Sequence, residues 1–291
     1  MVNEYFKAFR EDALKTENTD DLIQLVENHL NTKVIPNDKV YPAVKEAWDN
    51  QQLHIMPGNV KLDKGIGIEN MTSAHNCHSY KNGYCDSCGK CYARSQENMY
   101  AGVLMYNTIN EILYDTLPHA EFKAQFREFY EEHEDLDFHR WNSFGEFKSP
   151  QAFKDCNSVS KMLENEFLVK SYSYTHNKEL PVKTLDKSHI VINFSYNVDN
   201  KHKKCIVVPG KNLRDYYNSS EYVICLGGCG NCPYCKDPDF NKIVVFPQHG
   251  NGKSAKREVE KYFTRAEIYL MELERDMANL EFKRNLVDFY F

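Results

Sequence analysis

Hydrophobic positions along this 291-residue chain keep a helical period at both ends and a strand-like rhythm between them. Over residues 1–50, Tyr5, Phe6, Phe9 and Leu14, then Leu22, Ile23, Leu25, Val26 and Leu30, recur at the three- and four-residue steps that put side chains on one helix face. Asp20 and Asp21 supply a helix start, Pro36 and Pro42 interrupt, and 44–48 predicts a further short helix. Residues 53–76 change to short extended pieces broken by Gly58, Gly65 and Gly67. Helical spacing returns after Arg94. Tyr100, Val103, Leu104, Ile109, Ile112 and Leu113 run towards Pro118, and Phe122, Phe126, Phe129 and Tyr130 continue a second helix.

From about residue 136 apolar runs alternate with helix-sized gaps. Strands are predicted at 136–141, 167–175, 190–196, 205–209 and 242–247, with 222–226 leading into a cysteine run, a Pro150-led helix to 163 and a short helix at 181–185. That alternation argues for parallel βαβ construction. The strands end in polar residues (Arg140, Asn142 and Ser143; Tyr174, Thr175 and His176; Asn193, Ser195 and Asn197), and in barrel-like α/β folds those ends form the active face. The gaps after the third and fourth strands are short for full helices. The expected fold is therefore α/β, an incomplete or irregular (β/α) barrel-like parallel sheet with helical N- and C-terminal extensions and two cysteine knots. It divides into a helical cap (1–52), an α/β metal-cluster region (53–252) and a C-terminal amphipathic helix (253–291). In that tail Val259, Phe263, Ala266, Leu270, Leu273, Met277 and Leu280 step alternately by four and three, a heptad seam. The favoured reading lays this helix on the body; the other makes it a homodimer contact.

Composition narrows the function classes. Hydrophobic residues at 42% and aromatics at 13% supply a packed core, and a net charge of −6 argues against coating nucleic acid. No apolar run approaches a membrane span, and the first residues lack a basic, then apolar, leader, so the chain is expected in the cytoplasm. In a reducing compartment clustered cysteines point to metal or catalysis rather than disulfides.

Eight of the ten cysteines lie in two similar runs: Cys225, Cys229, Cys232 and Cys235, spaced x3, x2 and x2, and Cys77, Cys85, Cys88 and Cys91, spaced x7, x2 and x2. Glycines in the first of these runs permit the tight backbone turn that lets neighbouring thiolates share one centre. Zinc takes four thiolates from two separated Cys-x2-Cys knuckles. Cys-x2-Cys-x2-Cys is the local run of bacterial-type ferredoxins and suits three corners of a [4Fe–4S] cube. One or two [4Fe–4S] clusters are expected, with structural zinc in a binding or host-interaction module as the alternative. Cys225-x3-Cys229-x2-Cys232 is also the spacing of many radical S-adenosylmethionine enzymes, where three cysteines leave one iron open for the methionine moiety. Cys235 in one knot and Cys77 in the other are the residues that would close the cluster. Cys156 and Cys205 read as buried, inert thiols. His75, His78 and His249 read as neighbours of the sites rather than ligands. Gly250-Asn251-Gly252-Lys253-Ser254 is not a phosphate loop, because Pro247 stands where the first glycine is needed.

Five stretches occur in a recognisable order: Gly58-Asn59-Val60-Lys61-Leu62; Cys88-Gly89-Lys90-Cys91-Tyr92-Ala93-Arg94; the strand end from Phe138 through Arg140, Trp141, Ser143 and Gly145 to Glu146; Tyr174-Thr175-His176; and the four-cysteine run 225–235 followed by Val244-Val245-Phe246. Together, over about 58–250, they resemble the phage-encoded "gene product eighty-eight" family of iron–sulfur, radical-enzyme-like proteins. The sequence departs from that pattern at Glu146, where the family tends to have Asp, at His176, where it tends to have Lys, and in the spacing before Cys88. The Cys-Tyr-Ala-Arg ending is also similar to radical S-adenosylmethionine proteins related to spore photoproduct lyase. The resemblance implies an iron–sulfur protein of phage origin on a partial barrel, working with a small molecule or redox partner it does not specify. Beside the clusters, Arg140, Glu146 and His176 are the candidate catalytic residues. Arg140, Ser143, Thr175, Asn193 and Ser195 are candidates for cofactor binding. Arg140 would meet an anionic group, and Glu146 would hold an amine or hydroxyl or transfer a proton.

Overall fold

The computed structural model describes residues 4–13, 15–30, 40–59, 62–85, 91–180, 188–195, 203–248 and 255–290. The N-terminal stretch forms α1 (Glu4–Ala13), α2 (Thr19–Leu30) and α3 (Val40–Asp49). Asn18 begins α2, its side-chain carbonyl accepting from Asp21 N at 2.9 Å. Of the apolar positions predicted to share a face, Phe9, Leu22, Val26 and Leu30 are buried with Val44 in the same core as Leu104, Ile109 and Ile112, Ile23 and Leu25 pack against it, and Leu14 lies outside the described residues. The N-terminal helices thus share the main core of the α/β body.

Among the described residues eight strands come next: β1 (Met56–Asn59), β2 (Asp63–Glu69), β3 (Phe138–Trp141), β4 (Lys170–Thr175), β5 (Ile190–Phe194), β6 (Cys205–Pro209), β7 (Tyr222–Ile224) and β8 (Ile243–Gln248). β1 and β2 form an antiparallel hairpin. From β2 to β5 every pairing is parallel, as the alternation predicts. β6, β8 and β7 form a second parallel sheet in that order. One parallel bridge, Phe194 to Lys204, joins the two. Among the described residues the ladder stays open between β1 and β7, so the barrel-like expectation reduces to two bridged, mostly parallel sheets. The predicted helix at 181–185, and His249 with the 250–254 run, lie outside the described residues.

Between the first strands run α4 (His78–Lys81), α5 (Tyr92–Met99), α6 (Ala101–Thr116) and α7 (His119–Glu132); α8 (Pro150–Phe167) links β3 to β4. Ser149 caps α8, accepting from Ala152 N at 3.0 Å with Pro150 in the first turn, and Leu168 ends it at φ 59°. Because strand side chains alternate, each face of the larger sheet has its own cover. Trp141, Ile190, Ile192 and Phe194 enter the helical core, where Trp141 Nε1 donates to Ser160 Oγ on α8 at 2.8 Å. Ile66, Ile68, Phe138 and Tyr172 face the other way, against Cys229, Cys235 and Phe282.

The tail is two helices, α9 (Ala255–Val259) and α10 (Arg265–Tyr290). Thr264 breaks them: its N and Oγ1 both donate to Glu267 Oε2 and its Oγ1 accepts from Glu267 N, a reciprocal cap. The helix lies on the body, but by Ile268, Met271 and Phe282 rather than by the heptad seam. Val259 and Phe263 are buried, whereas Leu270, Leu273, Met277 and Leu280 are exposed. None of the described helices is long and apolar enough to cross a membrane.

Gly145 closes the turn after β3 at φ +70°, where a Cβ would lie 2.3 Å from Thr72 O, a backbone atom that cannot step aside. Gly145→Ala is expected to destabilise the chain by roughly 3 kcal/mol, read as a lower urea midpoint at an unchanged slope.

Candidate metal centres

Two neighbourhoods emerge, one at each knot. β2 runs through a buried segment, residues 70–76, into Cys77, which precedes α4; Cys91 precedes α5. Cys88 lies outside the described residues, and Cys77, Cys85 and Cys91 are partly buried. Burial raises the Cys77 pKa, and the nearby Glu146 carboxylate and Cys91 add to the rise.

Carboxylates brace this knot from below. Glu97, on the helix after Cys91, accepts from Ala74 N at 2.8 Å and Ser73 Oγ at 2.9 Å, tying it to the segment before Cys77. Glu111 on α6 accepts from Ser73 N and Asn76 Nδ2. His75 Nε2 lies 3.7 Å from Glu97. Glu146 is buried and accepts four hydrogen bonds: from Phe147 N and Thr175 Oγ1 on one oxygen, and from His176 N and Ser79 Oγ on the other. Glu146 and Thr175 therefore meet, as does the backbone of His176. With both oxygens engaged, Glu146 fastens α4 to the ends of β3 and β4 and leaves no lone oxygen aimed at a ligand. Ser143 takes part through its carbonyl, which accepts from Tyr92 OH at 2.7 Å beside Cys91.

Arg140, Asn193 and Ser195 belong to the second neighbourhood, although Arg140 shares a strand end with Ser143. Register sets Arg140 beside Tyr172, and Tyr174 beside Asn193, on the sheet face that meets the loop 225–235. Gly227 and Gly228, at φ +77° and +70°, turn that loop, and Gly227 N lies 3.4 Å from Cys225 Sγ. Asn193 Nδ2 donates to Cys235 O at 2.9 Å. Ser195 Oγ lies 3.2 Å from Cys205 Sγ, and Cys205 packs in one cluster with Cys225, Cys232 and Cys235. Burial pushes the Cys232 thiol up to about 12 and raises those of Cys225 and Cys235. At Cys235 a hydrogen bond from Tyr174 and the charges of Lys203, Arg140 and Lys236 work against that rise.

Of those three cations, only Arg140 stood out in the sequence. Lys236 is 3% exposed and gives its ammonium to Cys229 O at 2.8 Å and Gly230 O at 3.1 Å, over the Phe138 ring. Lys203 donates to the carbonyls of Tyr234, Asp237 and Phe240, and burial lowers its pKa to about 8. Arg140 stacks 4.9 Å over Tyr174, and its Nε has no acceptor. Among the described residues none of the three has a carboxylate within ion-pair distance. The only hint in the sequence was position: Lys236 directly succeeds Cys235, and Lys203 sits two residues before Cys205.

Among the described residues no three His, Cys, Asp or Glu side chains converge as a ready metal cage. No family model matches the chain, and neither a curated protein nor a solved structure matches it.

Away from the thiols, Glu69 at the end of β2 is fully buried with Oε2 unpartnered, and burial raises its pKa to about 8 from an ordinary 4.5. A folded-state pKa above the unfolded one adds stability below about pH 4.5 that is lost as pH rises through about 8. Urea midpoints of wild type and Glu69→Gln are expected to diverge between about pH 5 and 9, the wild type losing more.

Proposed function

We propose that the chain is an iron–sulfur protein in which Cys225, Cys229, Cys232 and Cys235 hold one [4Fe–4S] cluster and Cys77, Cys85, Cys88 and Cys91 hold a second, with a redox or radical role towards a small molecule. The observation that carries this reading is the set of cations around the 225–235 thiols with no carboxylate within ion-pair distance among the described residues, Asp237, Asp239 and Asp137 acting only from farther off. An uncompensated buried charge costs several kcal/mol. A thiolate-ligated centre is net negative, and it would supply a close anion to Lys236, Lys203 and Arg140, which have no carboxylate at ion-pair distance among the described residues. The donor set fits by chemistry, four sulfurs in one glycine-turned loop; the thiols must turn towards one another to ligate. The same charges would balance a four-thiolate zinc site, so metal identity rests on the x2, x2 spacing.

A cluster bound there supplies one-electron transfer. The chain's own part is to shield and bias it. Tyr174 offers a hydrogen bond to Cys235, Asn193 fixes the Cys235 carbonyl, and Phe138, Tyr172 and Phe282 exclude water. Four thiols in one run leave no open coordination position, so this centre passes electrons or holds structure. The two bridged sheets then read as a partial barrel wrapped on it. The first knot differs in place. It comes directly after the first parallel strand and stands at the strand ends that Glu146 fastens, where a small molecule reaches an α/β sheet. S-adenosylmethionine, if used, belongs there, with Cys77 as the ligand that would have to be absent or displaced.

Protein purified without oxygen is expected to be brown and to carry about four iron and four acid-labile sulfide per cluster. Cys232→Ala should remove one cluster's worth of both. Colourless protein carrying zinc and no iron would replace this reading with the structural-zinc one. Reductive cleavage of S-adenosylmethionine, lost in Cys91→Ala and kept in Cys77→Ala, would make the first knot the reactive one.

A further inference from the structure

Tyrosine hydroxyls turned into this chain find partners on neighbouring elements. Tyr130 OH pairs with His139 Nδ1 at 2.8 Å, and Tyr114 OH donates to Asp155 Oδ2 at 2.8 Å. Tyr172 breaks the pattern: it is 1% exposed, and its hydroxyl has no partner among the described residues. A hydroxyl buried in that way costs stability, and in a native protein it calls for a reason. Its surroundings supply one. Tyr172 stands on β4, on the sheet face that the 225–235 loop covers, and packs in one cluster with Cys229 and Cys235. Register sets it beside Arg140, whose Nε is likewise shut from water without an acceptor. Tyr174, two residues on and on the same face, has its ring 6.1 Å from that of Tyr172 and gives its hydrogen bond to Cys235. Burial raises the Tyr172 pKa, Cys229 adds to the rise and Arg140 opposes it, so the phenol keeps its proton and is a donor.

We propose that Tyr172 OH donates to a sulfur on the Cys229 and Cys235 side of the bound cluster, next to the donor Tyr174, and thereby raises the cluster's reduction potential. This rests on the iron–sulfur reading of the 225–235 loop. The reduced cluster carries one more negative charge than the oxidised one, and part of that charge sits on sulfur. A donor aimed at sulfur therefore favours the reduced form, and hydrogen bonds to the sulfurs are among the levers that set such potentials. Tyr172 ligates nothing; it acts on the electron affinity of the centre. Its ring has a separate duty, since it covers Ile66, Ile68 and Phe138. Tyr172→Phe divides the two roles, because it keeps the ring and removes the donor.

The test uses the full chain carrying Cys91→Ala, which leaves the 225–235 centre to be read alone, with and without Tyr172→Phe. Iron and sulfide are counted first, and the cluster is then titrated with a low-potential reductant and followed by electron paramagnetic resonance. Both counts are expected to stay the same, while the equilibrium shifts about tenfold towards the oxidised form, about 59 mV for one electron. Reduced protein prepared in heavy water should show an exchangeable-proton coupling to the cluster that Tyr172→Phe removes. After the metal is stripped, the same substitution should raise the urea midpoint, because a buried hydroxyl without a partner is gone. Iron-loaded Tyr172→Phe with an unmoved potential, or with the coupling retained, would overturn the proposal and leave the cluster reading standing. A chain that takes up zinc and no iron would overturn both.

Discussion

The inner face of a mostly parallel sheet has to be covered, and here the cover is a cysteine loop. Ile66, Ile68, Phe138 and Tyr172 would otherwise stand in water, and the loop 225–235 with Phe282 of the last helix shields them. That choice brings polar groups into an apolar setting. Lys236 and Lys203 give their ammonium protons to carbonyls in and just after the loop, and no carboxylate stands within ion-pair distance of either among the described residues. Everything proposed for the second knot stems from that imbalance. A loop that only needed to be apolar would have no reason to meet three cations, Lys236 beside it, Lys203 before β6 and Arg140 on β3.

The first knot obeys a different constraint. Among the described residues Cys77, Cys85 and Cys91 lie outside the strands, and buried carboxylates hold the backbone around Cys77 instead. Glu97, on the helix C-terminal to Cys91, holds the segment N-terminal to Cys77, and Glu146 ties Ser79 on α4 to the ends of β3 and β4. Burial raises both pKa values to about 7, and the hydrogen bonds each carboxylate accepts work against that rise.

Much of the architecture was legible because periodicity reports burial: the helices, the strands and the parallel pairing can be read from where apolar residues recur. What sequence hid was direction and distance. The heptad register of the tail is real, yet it faces outward, because the inward stripe through Met271 and Phe282 is interrupted by Arg275 and scores less well as a repeat. Glu146 looked like a ligand-binding carboxylate; its donors come from Ser79, 67 residues earlier, and Thr175, 29 later, and no local pattern announces them. Nothing in the local sequence marks Lys203 or Lys236 as buried. Arg140, Asn193 and Ser195 were grouped with Glu146 and Thr175 as one face, but strand alternation and the loop's reach divide them between the two knots.

If Lys236 and its neighbours balance a metal–thiolate anion, removing one of their charges must act differently with and without the metal. The most direct test compares Lys236→Met with wild type by urea denaturation, in anaerobically loaded protein and again after the metal is stripped. Opposite signs are expected: the substitution lowers the midpoint of the loaded protein, which loses a counter-charge, and raises that of the stripped protein, which loses an unpaired buried cation. The same sign in both states would mean that Lys236 serves the loop alone, and would contradict a charge-balancing role.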